Sequence, residues 1–287
     1  MEKKRPTYFG KAVASFLLVL LTMPLGHALM IIMEHTMSSG VLHVSAFAMG
    51  FAGMLLAVAG IFVGGDLKQT LCGLFGGLLF WTGWVEFLFQ YYADRFGMQP
   101  YVDELTGKVT QPEYLIMPAS SGFMMMFMLL YLFSIRSGCN FFNWWQKRLL
   151  GSRRDAVVAR PMTRHTSLVT FMELNMMMWA CYVVLMFCYD TNFLGDTHPV
   201  TIGLAILCLV GSAFIFIKQT RLASWGANIR MAIATVLVFW TFVEILGHIG
   251  LLDEIWVAPM EHVVEMCVLL AAFIGLGAYT LYASFRR

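Results

Sequence analysis

Eight runs of about 20 mostly apolar residues follow one another along the chain, near 12–35, 44–64, 70–92, 114–135, 166–188, 199–217, 229–250 and 258–283. That is the length a helix needs to cross a bilayer core. In hydrocarbon every backbone N–H and C=O must be paired internally, so a spanning segment is a helix or a strand of a closed barrel. The runs are continuous rather than alternating, which argues against a barrel. The expected fold is all-α and integral to the membrane, with about eight transmembrane helices. Composition agrees: 59% of residues are hydrophobic and 13% charged, far from the balance of a soluble domain. An aromatic content of 15% excludes a disordered chain. The first run continues through Glu34 and His35 without a small-residue cleavage site, so it reads as a span and not as a signal peptide.

Basic residues set the orientation. Both termini and the loops on their side carry 17 of the 19 Lys and Arg residues, and only Arg95 and Lys108 fall on the other side. The positive-inside rule then puts both termini in the cytoplasm. Asp94, Asp103, Glu104, Glu113, Asp190, Asp196, Asp253 and Glu254 fall in the outward loops. The basic run around Gly151-Ser-Arg-Arg154 reads as a topology determinant resting on anionic lipid, not as a nucleic-acid site. Asn143-Trp-Trp-Gln146 reads as an interfacial aromatic segment. A bacterial inner membrane is the simplest setting.

The two halves of the chain look alike. Phe80-Trp-Thr-Gly-Trp-Val-Glu86 answers Phe239-Trp-Thr-Phe-Val-Glu244, His43 answers His198, and Pro118 answers Pro259. The expected organisation is a four-helix half over 1–136, a basic connecting loop over 137–165, and a second four-helix half over 166–287. Four is even, so both halves enter the membrane in the same sense and the repeat is parallel. Gly73, Gly76, Gly83 and Glu86 fall on one stripe of the third run, where small residues permit close helix packing.

Ionisable groups inside a membrane are costly and mark function by default. His27, Glu86, Glu244 and Glu265 are expected roughly 9–12 Å below the outer surface, at about 1.5 Å per residue from the ends of their runs. His27 and Glu34 are seven apart, Glu244 and His248 four, and His262 and Glu265 three, so each pair shares a helical face. Imidazole and carboxylate on facing helices are how bundle-core metal sites are built. The expected ligands are His27, Glu86, Glu244, His248, His262 and Glu265, with Glu34, His35, His43, Asp190 and His198 around them. That donor set suits a transition metal such as iron, copper or zinc. Met23 and Met30 share the His27 stripe, which keeps copper in view. Glu173 and Asn175 lie in the inner half of the fifth run, apart from this layer.

Three functions compete. The first is a membrane metalloprotein whose outward site oxidises or hydrolyses a hydrophobic substrate. The second is a proton- or cation-coupled transporter using Glu86 and Glu244. The third is a non-catalytic membrane subunit; for the chain as a whole the expected partners are membrane lipid, a hydrophobic small-molecule substrate and an oligomer, with no nucleic acid. No nucleotide-binding loop, nucleophile elbow or HExxH motif occurs in the sequence.

Overall fold

The computed structural model describes residues 7–102, 109–110, 112–134, 140–153, 165–190 and 193–285. Of the charges weighed above, Lys3, Lys4, Arg5, Asp103, Glu104, Lys108, Arg136, Arg154, Arg160, Arg164, Arg286 and Arg287 lie outside the described residues. Helix α1 spans Phe9–Thr36, α2 Ser39–Ala59 and α3 Asp66–Arg95. A two-residue antiparallel pair follows, β1 (Tyr101–Val102) with β2 (Val109–Thr110). Then come α4 (Pro112–Ile116), α5 (Ser121–Ser134), α6 (Asn140–Leu150), α7 (Thr166–Tyr189), α8 (Pro199–Gln219), α9 (Trp225–His248) and α10 (Val263–Phe285).

Seven helices among the described residues, α1, α2, α3, α7, α8, α9 and α10, are long and apolar enough to cross a membrane. They mark the chain as an integral membrane protein. The fourth expected span, 114–135, is built differently. It is divided into α4 and α5 by a 3-10 turn, Met117–Ser120. Pro118 has no N–H to give a helix ladder. The hydroxyls of Ser120 and Ser121 donate to the carbonyls of Met117 and Pro118, which satisfies the backbone at the break.

The core is central and asymmetric. Helix α9 is the most enclosed span, with 61% of its apolar window buried, and α10 the least, with 11%. Helices α2, α8 and α10 turn Val44, Phe51, Leu207, Val210, Val264 and Val268 outward, as a lipid-facing surface requires. Helix α3 packs on α2 and α7, α9 packs on α8 and α1, and α10 lies against α1.

Glycine sets the closest approaches. A Cβ on Gly53 would meet the Gly76 carbonyl oxygen and the Phe80 nitrogen, both at 2.6 Å. Gly83 lies as tightly on Ala46 and Gly50, so α2 and α3 touch backbone to backbone. Gly73 instead faces the Ser167 carbonyl of α7. The expected glycine stripe is therefore shared between two neighbours. Near its middle, α3 winds as a π-helix over Trp81–Glu86.

At the end of the bundle where α1 begins, polar groups tie helices together. Arg230 of α9 donates to Asp66 of α3 at 2.8 Å and to the Thr70 hydroxyl. Gln219 of α8 donates to the Ala12 carbonyl at 3.0 Å, and Ser167 of α7 to that of Ala57 at 2.7 Å.

Gly53→Ala should lower stability by about 1–3 kcal/mol, because backbone atoms cannot yield to a methyl group. Gly275→Ala, with nothing within 4 Å of its added Cβ, should be neutral or stabilising. Thermal unfolding of the two variants in detergent checks this.

Candidate functional site

At the opposite end, where α1 and α9 finish, the helices part around a cavity of about 570 Å³. Each wall is delivered by local structure. Helix α1 contributes His27, Glu34 and His35, one turn and more beyond its internal Pro24. Helix α3 contributes Glu86, the last residue of the π segment, and Gln90 and Asp94 at successive turns after it. Helix α7 contributes Tyr182 and Tyr189, and α9 contributes Glu244 and His248. The turns after α9 fold back and add Glu254 and Trp256. Three imidazoles and five carboxylates thus line one space, and no Lys or Arg lines it among the described residues.

Specific pairs organise the donors. His27 Nδ1 lies 3.6 Å from Glu86 Oε1. Trp240 Nε1 donates to Glu244 Oε1 at 2.6 Å, one turn away on the same helix. Gln90 lies within reach of the Glu34 carboxylate. Tyr189 stacks on His248 at 3.8 Å between ring centroids, with the planes 16° apart. Glu254 crosses Gly247, where a Cβ would meet its Oε1 at 2.5 Å. Trp81 stacks on Tyr182 at 5.7 Å.

Four of the six expected ligands, His27, Glu86, Glu244 and His248, therefore share the cavity, together with Glu34 and His35. His262 and Glu265 are not part of its lining. Helix α10 starts at Val263 rather than near 258, so Glu265 sits in its first turn, exposed, and His262 precedes it. His43 packs edge-on against Phe87 and Tyr91 instead. His198 caps α8, its Nδ1 accepting from the Val200 N–H at 3.2 Å. Asp190 closes the end of α7, its carbonyl accepting from the N–H groups of Phe193, Leu194 and Gly195. Glu173 and Asn175 are buried in α7, outside the cavity lining, and Asn175 donates back to the Phe171 carbonyl at 2.8 Å.

Glu254, Asp94, Gln90 and the two tyrosines were not singled out by sequence. A signal for the tyrosines was present. Tyr182 and Tyr189 are seven apart, as are His27 and Glu34. Met30 and Met186 line the cavity, while Met23, Met33 and Met176–Met178 fill the core, the ordinary use of a flexible thioether.

Among the described residues, no three His, Cys, Asp or Glu side chains close on one point as metal ligands do. The donors stand as pairs. Comparison with protein-family models, with curated proteins and with solved structures finds no match for this chain.

Removing the indole N–H with Trp240→Phe should cost about 1.5–3 kcal/mol, the range for a hydrogen bond to a charged acceptor. Glu244→Gln keeps an oxygen to accept that bond and should cost less. Chemical unfolding in detergent ranks the two.

Proposed function

We propose that this chain is an integral membrane metalloprotein that holds a transition metal (iron, copper or zinc) in the cavity, near His27, Glu86, Glu244 and His248. The observation that carries the reading is the unbalanced lining: five carboxylates and three imidazoles with no Lys or Arg among the described residues. Asp94 is exposed and the other four carboxylates are half-buried; like charges gathered around one space disfavour one another, and a cation offsets that cost. Imidazole and carboxylate are the donors such metals take. The pairs fit a metal in donor chemistry, and closure of a third ligand onto a pair would complete the site. Tyr182, Leu185, Met186 and Trp256 add an apolar wall, suited to a hydrophobic substrate to be oxidised or hydrolysed beside the metal.

The reading includes two four-helix halves of parallel topology, with the 112–134 segment as the fourth member of the first. Sequence offsets and helix packing support this. His43 and His198 are 198 − 43 = 155 apart, and the same offset pairs His27 with Tyr182 and Glu34 with Tyr189 across the cavity. Glu86 and Glu244 each have a further cavity residue four positions on, Gln90 and His248. The pairs Gln90–Glu34 and His248–Tyr189 then occupy matching places. The packing supports the reading too: α3 lies on α7 as α9 lies on α1, and the Met117–Ser120 turn and α5 lie against α7 as α10 lies against α1. Where the first half has one residue more, Trp-Thr-Gly-Trp-Val-Glu against Trp-Thr-Phe-Val-Glu, α3 has its π-helical turn. With both termini cytoplasmic, the cavity opens outward, toward the periplasm in a bacterial inner membrane.

One observation favours a second reading. Because the donors stand in pairs, Glu86 and Glu244 also suit a carrier that loads protons or cations at the seam between its halves.

Elemental analysis of the detergent-purified chain tests the first reading against the second. Stoichiometric iron, copper or zinc, reduced at least tenfold in Glu86→Gln/Glu244→Gln, is the expected result. Protein grown in metal-replete medium and purified without metal overturns it. A pH-driven flux in vesicles, lost in the same variant, would then support the carrier.

A further inference from the structure

Far from the cavity, at the end of the bundle where α1 begins, two helices meet on the surface. Helix α6 reads Asn-Phe-Phe-Asn-Trp-Trp-Gln-Lys-Arg-Leu-Leu. Its Gln146 is buried, while Trp144, Trp145, Lys147, Arg148 and Leu149 are exposed. Trp144 and Arg148 are four apart and share a face, and Trp145 and Leu149 form the strip beside it. Indoles and an aliphatic side chain turned outward, with cations beside them, are what a helix lying in a membrane interface presents.

Helix α8 ends next to it. The Thr220 carbonyl, just past the last turn of α8, accepts from the Tyr8 N–H at 2.6 Å, which fixes this end of α8 beside the start of α1. On α8, Leu207, Val210, Phe214 and Ile217 are exposed at spacings of one helical turn, so they form one outward apolar stripe. Lys218 stands where that stripe ends. Its Nζ lies 4.2 Å from the centre of the Phe214 ring and 5.9 Å from that of Trp144 on α6. The side chain therefore lies back along its own helix and bridges to the other. An ammonium held at the rim of a lipid-facing stripe, with an exposed indole on its far side, sits at the level where a bilayer keeps its phosphates.

Together the two helices carry three cations, Lys147, Arg148 and Lys218, and no acid. Among the described residues no carboxylate pairs with any of the three. We propose that α6 and the end of α8 form a binding site for an anionic phospholipid of the surrounding bilayer. The lipid phosphate is held by Lys218, with Lys147 and Arg148 close by on the face of Trp144, and an acyl chain runs along the α8 stripe. Each Lys or Arg near an anionic membrane surface strengthens the attraction by about fivefold, so the site prefers a lipid with net negative charge to a zwitterion that has the same phosphate.

The test is tryptophan quenching in the full-length chain, reconstituted in phosphatidylcholine vesicles. Increasing amounts of phosphatidylglycerol or phosphatidylcholine brominated near the headgroup are included. The α6 signal is the difference between each protein and the same protein carrying Trp144→Phe/Trp145→Phe. In the wild type, half-quenching should need at least about fivefold less of the brominated anionic lipid than of the zwitterion. Lys218→Gln should bring the two lipids close to equality, as should Lys147→Gln/Arg148→Gln, and Lys218→Arg should keep the preference. Lys68→Gln, which removes a charge from the first turn of α3 at the same end of the bundle, should leave it unchanged. A preference that survives Lys218→Gln overturns the site. An equal drop in Lys68→Gln also overturns it, since the preference then belongs to the general charge of that face. Equal quenching by the two lipids in the wild type removes the anionic selectivity, and no quenching by either places α6 away from the bilayer; both overturn the proposal.

Discussion

Hydrocarbon cannot donate or accept a hydrogen bond, so polar side chains along these helices gain most by partners inside the protein. The rest of the architecture follows from where those partners are. At the end where α1 begins, the requirement is met by cross-links between helices: Asp66 with Arg230, Gln219 with Ala12, Ser167 with Ala57. At the other end it is met differently. Carboxylates gather there with no Lys or Arg among the described lining residues, and the helices separate around them rather than close over them. One end of the bundle is tied and the other is open and acidic.

Packing along the helices divides in the same way. Small residues bring α2 against α3 so closely that main-chain atoms touch, which leaves no room for side-chain rearrangement. The cavity wall opposite is made of flexible or stacked groups, Met30, Met186, Tyr182 and Trp256. A rigid pair of helices therefore carries Glu86, while softer neighbours face it.

The spans were legible because a run of about 20 apolar residues has few other uses. The break in the fourth was not drawn from the sequence, although Pro118 and the serines that satisfy the backbone around it are both visible there. His27, Glu34, Glu86, Glu244 and His248 were found because helical spacing and depth place them without knowledge of the loops. His262 and Glu265 were misplaced by the same arithmetic. Depth was counted from an apolar run that starts near 258, whereas α10 begins at Val263 and the residues before it are turns. Glu254 and Asp196 read as ordinary loop acids. Their return toward the bundle depends on left-handed turns at Gly250 and Gly195, which spacing alone does not disclose.

The π-helical turn of α3 has a geometric consequence for everything after it. One residue advances an α-helix by about 100°, so a surplus residue resets the angular phase of the remaining helix. Before Trp81, the phase of α3 is set by its glycines, locked against α2 and α7. After Glu86, the phase brings Glu86, Gln90 and Asp94 onto the cavity as a single edge. Winding in this one turn aims three polar groups together. Its relaxation to ordinary α geometry would swing all three away from the cavity while the close-packed half of the helix stayed where it is.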